Sequence, residues 1–182
     1  MAKIESTLLD NSPNFHLVDK LRQLITVAEV NDILIATGYW DIPGTALIAQ
    51  ELSCFLAREG TSVKLLIGKD PVVFAHQLEA LKRPELKHTK DIIKINLHEL
   101  NPKSDYEEAV RLLKKYCEGD NPRFSIHVFS NPDDERQFFH SKCYIFAEKA
   151  FTCDESDHGL YAIVGSSNKK KKGLEGNSEL NY

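Results

Sequence analysis

The stretch from Asp32 to Gly68 reads DILIATGYWDIPGTALIAQELSCFLAREGTSVKLLIG, and its strand–helix–strand pattern decides the fold class. Asp32–Trp40 is short, apolar and β-branched at its start, which predicts a buried strand. Thr45–Glu59 has apolar residues at helical spacing and stops at Gly60, a usual signal for a helix end. Val63–Gly68 predicts a second buried strand. This order of elements predicts two parallel strands joined by a crossover helix.

Two amphipathic helices are predicted on either side of this unit. Leucines recur at intervals of three and four residues in Phe15–Val30, where Asn14 is the predicted cap. Tyr106–Cys117 has the same kind of periodicity between a Ser104 cap and a Gly119 stop. We therefore expect both segments to cover the sheet with one apolar face.

Three further apolar segments complete the predicted sheet, namely Phe124–Phe129, Phe138–Ala147 and Tyr161–Gly165. A polar loop over 148–158 joins the last two strands, and Pro71–Leu81 is a predicted helix. The fold class is therefore α/β, with a mixed β-sheet flanked by helices, and residues 1–182 are predicted to form one domain. The run ELNY at 179–182 looks like the start of a strand, which favours a chain that is the N-terminal domain of a longer protein.

The composition excludes several classes of protein. Of 182 residues, 42% are hydrophobic and 27% are charged, values that are typical of globular domains and not of disordered or fibrous chains. The 23 basic and 27 acidic residues give a net charge of −4, which excludes a generally polybasic coat but leaves room for a local basic patch. No apolar run approaches the ~18 residues of a membrane span, and no secretory signal is visible. We expect a cytoplasmic protein.

The cysteines support the same compartment. The four cysteines are Cys54, Cys117, Cys143 and Cys153. Because no two of them form a CxxC pair, they are predicted to be reduced thiols. A zinc site can be drawn from His140, Cys143, Cys153 and His158. Structural zinc sites usually bring their ligands in tight pairs, and this set contains no such pair of cysteines. The sequence therefore predicts no metal.

Three short pieces near the C-terminus carry groups suited to chemistry. The first is HSK at 140–142, where strand alternation would place His140 and Lys142 on one face. The second is GSSN at 165–168, where Ser166 and Asn168 would share one side. The third is Glu179, eleven residues beyond Asn168. Each piece alone is weak, because a lone histidine in a strand is more often packed or exposed, and a GSSN turn is usually only a turn.

Together these residues form a set that can handle a phosphate group. An imidazole can attack phosphorus or protonate a leaving oxygen. An ammonium group and an amide can hold non-bridging oxygens, and a carboxylate can orient the imidazole. Their order in the chain, at predicted strand ends, favours a phosphate site.

The combination resembles a known family. HSK at 140–142 followed by GSSN at 165–168 is similar to the HxK…GSxN signature of the phospholipase D superfamily, and the run GLEGNSE at 173–179 strengthens the resemblance. The chain is similar to the phospholipase D-like nuclease domains of bacterial restriction-type enzymes and of proteins that place this domain before a Swi/Snf-type helicase. The resemblance implies a phospholipase D-like fold and a metal-independent nuclease that cleaves DNA through a phosphohistidine.

The same resemblance implies a role for each site residue. His140 would be the nucleophile, Lys142 and Asn168 would bind the phosphate, and Ser166 would support that site. Glu179 would hydrogen-bond the histidine. No metal and no other cofactor is implied, because histidine and lysine supply what a metal would otherwise supply.

The sequence departs from the family pattern at two places. The family usually has an Asp, generally structural, where this chain has Ala147. After the GSxN turn it usually has an apolar residue and a Thr, where this chain has Lys169, Lys170, Lys171 and Lys172. Four lysines beside a phosphate site could bind a nucleic-acid backbone. The alternatives are a solvated basic loop or an altered sequence.

These departures leave a second function open, a catalytically impaired module of the same fold that binds DNA or a partner protein. A lipid substrate is disfavoured, because the chain has no amphipathic membrane face. The chain has one HxK and one GSxN, whereas longer superfamily members carry two copies. We therefore expect a homodimer with a shared active site, and a helicase or specificity domain is a candidate for the C-terminal part of the natural protein.

Overall fold

Five β-strands form one mixed sheet in the computed structural model, which describes residues 7–12, 14–68, 106–119, 121–129, 139–149 and 159–166, with Leu174 and Asn181. In chain order they are β1 (Asp32–Thr37), β2 (Ser62–Ile67), β3 (Phe124–Val128), β4 (Lys142–Ala147) and β5 (Gly159–Val164). Their order across the sheet is β3-β2-β1-β4-β5. The first three strands are parallel, β4 is antiparallel to β1, and β5 is antiparallel to β4. The predicted α/β class with a mixed sheet is confirmed.

The parallel pair predicted from residues 32–68 is also confirmed. β1 and β2 pair in register from Asp32 with Ser62 to Thr37 with Ile67. β1 stops at Thr37, three residues before the predicted end, and the Thr37 hydroxyl donates a hydrogen bond to the Tyr39 carbonyl at 2.8 Å. The chain therefore turns away at Gly38, directly after the last paired residue.

Helices cover one face of this sheet. Within the described ranges they are α1 (Leu17–Ile25), α2 (Ile42–Ala46), α3 (Ala49–Ala57) and α4 (Glu107–Tyr116). α3 contacts both α1 and α4. Their apolar faces share one cluster of buried residues with the strands, which includes Leu21, Leu52, Leu112, Leu65 and Tyr144. The predicted helix over 106–117 is confirmed as α4.

The helix predicted over Thr45–Glu59 is confirmed as α3 over Ala49–Ala57, but its predicted start is wrong, because residues 45 and 46 belong to a separate helix, α2. The Asp41 side chain caps α2 by accepting a hydrogen bond from the Gly44 amide at 2.6 Å, and Pro43 lies in the first turn. Ile48 has φ −127° and ψ 16°, which is outside the helical region and separates α2 from α3. The run Asp-Ile-Pro-Gly is itself a signal for a helix start, and apolar periodicity alone overlooks it.

The predicted cap of α1 is also wrong. Asn14 has φ +75° and lies in the turn before the helix. The Leu17 amide instead donates to the Asn11 side-chain oxygen at 2.9 Å. That contact spans six positions, more than a local capping motif covers. The other predicted helix features, Pro71–Leu81 and the Ser104 cap, lie outside the described residues.

The two faces of the sheet differ in their burial. The face under the helices carries fully buried side chains such as Ile33, Leu65 and Phe146. The opposite face, which we call the cavity face, lines a shallow apolar cavity of about 320 Å³. Its lining side chains come from four strands and include Leu34, Ala36, Leu66, His127, Cys143 and Ile145. In the described part of the chain, no helix is both long and apolar enough to cross a membrane.

Candidate active site

The carboxyl edge of the three parallel strands receives the HSK segment. β4 runs antiparallel to β1, and its first residue, Lys142, pairs with the last residue of β1, Thr37. Lys142 is therefore at the edge where β1, β2 and β3 all end. In open α/β sheets this is the edge at which ligands bind, because the loops that follow the strands converge there.

Lys142 is buried at the start of β4. Its exposed fraction is 7%, and alternation along β4 places it on the same face as the buried rings of Tyr144 and Phe146. The Lys142 Nζ donates a hydrogen bond to the His140 carbonyl oxygen at 3.0 Å. Burying an ammonium group is costly unless acceptors or anions offset the lost hydration. The lysine is thus held at the edge of the sheet with one donor turned back to the segment that carries His140.

His140 is exposed and precedes the strand. The sequence predicts a strand that begins at Phe138 and contains His140, but β4 begins at Lys142. The HSK segment therefore combines an exposed histidine outside the strand with a buried lysine inside it. His140 thus lies before the paired part of the strand, at a position where a bound group can reach its ring.

The turn that follows β5 lies beside Lys142. The Gly165 amide donates to the Lys142 carbonyl oxygen at 3.2 Å, which extends the pairing of Cys143 with Val164 by one step. Ser166 comes next and is exposed. The structure thus brings together His140, Lys142 and the start of the GSSN turn. Asn168, Glu179 and the run Lys169, Lys170, Lys171 and Lys172 lie outside the described residues.

A contact from the far end of the chain also reaches this turn. Asn181 forms isolated bridges with Gly165 and with Leu9. It is buried, and its side-chain amide donates to the Leu9 carbonyl at 3.4 Å. The strand-like character predicted for 179–182 thus corresponds, at residue 181, to bridge pairing next to the candidate site.

Ala147 lies far from this edge. It is fully buried at the other end of β4, roughly 17 Å from Lys142 at ~3.3 Å per strand residue. Its partner across the ladder is Asp32, whose buried carboxylate bonds the Ser62 hydroxyl and, at 3.1 Å, the Lys64 ammonium. The carboxylate at this point of the sheet therefore belongs to Asp32, and the departure at Ala147 does not touch the candidate site.

Cys143 follows Lys142 but faces away from it. Its side chain lines the cavity face, and burial raises the pKa of its thiol. A thiol that stays protonated is a poor nucleophile and a poor metal ligand. Among the described residues, no three His, Cys, Asp or Glu side chains approach closely enough to hold a metal ion. Two of the four candidate zinc ligands, Cys153 and His158, lie outside those ranges.

Sequence reasoning missed the residues that hold the HSK segment. Gly38 and Gly68 directly follow β1 and β2, and Phe129 directly follows β3. Gly68 packs against Gly38 and against the carbonyl of Phe139, the residue before His140. The ring of Phe129 stacks on the ring of Phe139. The signal that could have found two of them is a feature of the sequence that both segments share, since the apolar runs that begin at Asp32 and at Val63 are each followed by a glycine, Gly38 and Gly68.

Comparison with known proteins defines the class. The family model described as "Cardiolipin synthase, PLD-like domain" matches residues 21–182. The chain therefore belongs to this family of phospholipase D-like domains, and the resemblance to the phospholipase D superfamily is confirmed. Proteins of this class work on phosphodiesters and related phosphate groups. No curated protein matches the chain.

Two solved structures have a related fold. NucT from Helicobacter pylori is 13% identical, with a TM-score of 0.46 over 96% of this chain and 81% of that one. Polyphosphate kinase from Porphyromonas gingivalis is 14% identical, with a TM-score of 0.48 over 96% of this chain and 22% of that one. Both likenesses are too distant to inform the function, which rests on the family and on the site geometry.

Proposed function

We propose that this protein is a metal-independent phosphodiesterase that cleaves DNA through a phosphohistidine at His140. The observation that carries the proposal is the adjacency of the two motif segments at one edge of the sheet. Lys142 Nζ bonds the His140 carbonyl, and the Gly165 amide bonds the Lys142 carbonyl. A histidine, a lysine and the start of the GSSN turn thus converge where strands β1 to β3 end.

In the proposed reaction, the neutral His140 ring attacks the phosphorus of a DNA phosphodiester. A nitrogen–phosphorus bond forms, the bond to one ester oxygen breaks, and an acid protonates that leaving oxygen. Water then attacks the phosphohistidine, which releases the phosphomonoester and regenerates the ring. Lys142 and Asn168 hold the non-bridging oxygens as negative charge develops, with Ser166 supporting them. Glu179 orients the imidazole by a hydrogen bond.

DNA is the proposed substrate because a basic run accompanies the site in an otherwise acidic chain. The net charge is −4, yet Lys169, Lys170, Lys171 and Lys172 directly follow Asn168. Each lysine that contacts a backbone phosphate also releases condensed counterions, which favours binding. We further propose that the protein acts in the cytoplasm, where its cysteines stay reduced.

The active unit is proposed to be a homodimer. One imidazole cannot easily attack phosphorus and protonate the leaving oxygen on opposite sides of an in-line displacement. Two-fold symmetry, the commonest symmetry of oligomers, would supply a second His140 as the acid. Each composite site would then hold two copies of the residues named above.

A plasmid-nicking assay in excess EDTA tests this function. Wild-type protein is expected to nick supercoiled DNA in the chelator, because no step uses a metal ion. His140→Ala is expected to lose at least ~10²-fold in rate and to keep its fold, because the side chain is exposed and acts as a reactant. His127→Ala is the matched control, because His127 is also an exposed histidine but lies on the cavity face, away from the candidate site.

Two results would contradict the proposal. Strict dependence on added magnesium would remove the metal-independent mechanism, and a His140→Ala rate within tenfold of wild type would remove the nucleophile. Binding of DNA without any cleavage by the wild-type protein would favour the alternative, a binding module of the same fold.

A further inference from the structure

The backbone at the carboxyl edge of the sheet packs tightly around Phe139. A Cβ atom added to Gly68 would lie 2.5 Å from the Phe139 carbonyl oxygen and 2.7 Å from the Gly38 carbonyl oxygen. Both neighbours are backbone atoms, which cannot rotate away as a flexible side chain would. The Gly68 amide also donates to the Thr37 carbonyl at 3.0 Å. Only a glycine at position 68 allows the segment before β4 to come this close to the ends of β1 and β2.

An aromatic contact holds the same segment from another side. The rings of Phe129 and Phe139 are stacked, with centroids 5.2 Å apart and an angle of 27° between their planes. The Phe129 amide donates to the Ile67 carbonyl at 2.8 Å, so the pairing of β3 with β2 continues to this residue. Phe129 is therefore fixed to the sheet, and its ring supports Phe139.

These contacts surround the residue next to His140. Phe139 is held by backbone packing at Gly68 and by the Phe129 ring, and Lys142 Nζ bonds the His140 carbonyl. The backbone of His140 is thus restrained on both sides, although its side chain is exposed. A nucleophile must approach phosphorus at about 3–3.5 Å in line with the leaving group, so a restrained backbone matters for the rate.

We propose that Gly68 and Phe129 are positioning residues for His140. They set the place of its imidazole relative to Lys142 without touching the substrate, and their part in catalysis rests on the function proposed above. Their effect on the location of the His140 ring does not depend on that function, so the two can be tested separately.

Gly68→Ala is the first test. The added methyl group displaces the Phe139 carbonyl, and a shift of about 1 Å in a reacting group can cost ~10²-fold in rate. We expect kcat on a labelled DNA duplex to fall by roughly 10- to 100-fold while KM stays within about twofold. Leu66→Ala is the matched control, because Leu66 lies two residues earlier in β2 but faces the cavity. It is expected to lower stability and to leave kcat unchanged.

Phe129 provides a second test that keeps the backbone intact. Phe129→Leu removes the ring stack and is expected to lower kcat by roughly two- to tenfold, whereas Phe129→Tyr keeps the ring and should retain wild-type kcat. This pair decides the matter if Gly68→Ala does not fold. Equal kcat values for the two Phe129 variants would overturn the proposal in that case.

The position of His140 is measured directly by NMR of its imidazole, assigned by the signals that His140→Ala removes. Gly68→Ala is expected to shift the His140 signals and not those of His127, whereas Leu66→Ala, at the position paired with His127 on the cavity face, is expected to leave the His140 signals unchanged. A Gly68→Ala protein with kcat within twofold of wild type overturns the proposal. If the wild-type protein does not cleave DNA, the proposed function fails and the NMR result alone decides, with unchanged His140 signals overturning the positioning role.

Discussion

Lys142 is a charged residue at a buried position of β4 where an apolar residue is expected. The other residues on its face of β4, Tyr144 and Phe146, are large and apolar, as expected for a strand under helices. A lysine at 7% exposure in that row loses hydration that an apolar side chain would not lose. Under the proposed function, this cation at the carboxyl edge of the sheet would bind an anionic phosphate, which would account for a lysine at a buried position.

Ala147 gives a prediction about stability. Ala147→Asp would place a second carboxylate opposite the buried carboxylate of Asp32, which already bonds Ser62 and Lys64. We expect the free energy of unfolding to fall by about 3 kcal/mol, because a buried charge would lack a partner. Urea denaturation measures this change. Lys149→Asp is the control, since Lys149 is exposed two positions further on, and a loss below about 0.5 kcal/mol for Ala147→Asp would contradict the prediction.

The cysteines give a prediction about pH. Burial raises the pKa of the Cys117 thiol from 9.0 to about 12, and it also raises the pKa of Cys143. Alkylation needs the thiolate, so iodoacetamide at pH 8 should modify exposed Cys54 well before Cys117. Because the folded state favours the protonated thiol, its contribution to stability is complete below pH 9.0 and is lost as the pH rises towards 12.

Mass spectrometry of the modified peptides follows each cysteine separately. Denatured protein is the control, in which Cys54 and Cys117 should react at similar rates. Modification of Cys117 in the folded protein as fast as Cys54 would show that the thiol is not buried as described.

At the scale of elements, the sequence predicts the strands better than the points where they begin and end. Apolar β-branched runs identify β1 and β2, because one face of these strands is buried under the helices and the other lines the apolar cavity. The same periodicity merges α2 and α3, since apolar spacing continues through the break at Ile48. It also places His140 inside β4, because alternation says nothing about where ladder pairing starts. These boundaries depend on contacts that periodicity does not contain. The Asp41 side chain caps α2 from outside the apolar segment, Thr37 pairs with the first residue of β4, and Gly68 packs against Phe139 just before β4.

The lysine run that follows the GSSN motif in the sequence carries a prediction about DNA binding. Replacing Lys169, Lys170, Lys171 and Lys172 with Ala should weaken binding and flatten its salt dependence, because each lysine bound to a duplex phosphate adds about 0.9 to the slope. Fluorescence anisotropy across a salt series measures the slope. Replacing the exposed pair Lys114 and Lys115 of α4 with Ala is the control and should leave it unchanged. An unchanged slope for the fourfold variant would make the run a solvated loop.

At the scale of the whole molecule, the proposed shared site makes a quantitative prediction. Wild-type and His140→Ala chains, allowed to exchange in equal amounts, would form about one quarter wild-type homodimers under random two-fold pairing. If a mixed dimer is inactive, total activity falls to that quarter, whereas independent sites would leave half. Mixed dimers purified through two different tags should be nearly inactive. Activity at half the wild-type level, or a monomer that cleaves DNA, would contradict the shared site.

The sequence predicts the part of the candidate site that lies in short motifs, but not the part that depends on contacts between distant segments of the chain. His140, Lys142 and Ser166 lie in short segments that together resemble the phospholipase D signature, so this resemblance points to them as candidates without knowledge of the fold. Gly68 and Phe129 act through contacts with Phe139, which belongs to a different segment of the chain. A glycine or a phenylalanine can follow a strand for many structural reasons. The contacts of Gly68 and Phe129 with Phe139 become visible only in the assembled sheet.

The antiparallel pairing of β1 with β4 has a consequence for the order of folding events. β1 and β2 are separated by one short helical connection, whereas the Asn31 side chain reaches the Glu148 carbonyl across 117 positions. Closing a loop of that length costs more conformational entropy than closing the β1–β2 unit, so the local unit is expected to condense first. His140 and Lys142 reach the carboxyl edge of β1 to β3 only when the distant strand β4 docks. During refolding, the secondary structure of the β1–β2 unit should therefore recover before His140 and Lys142 take their places in the candidate site.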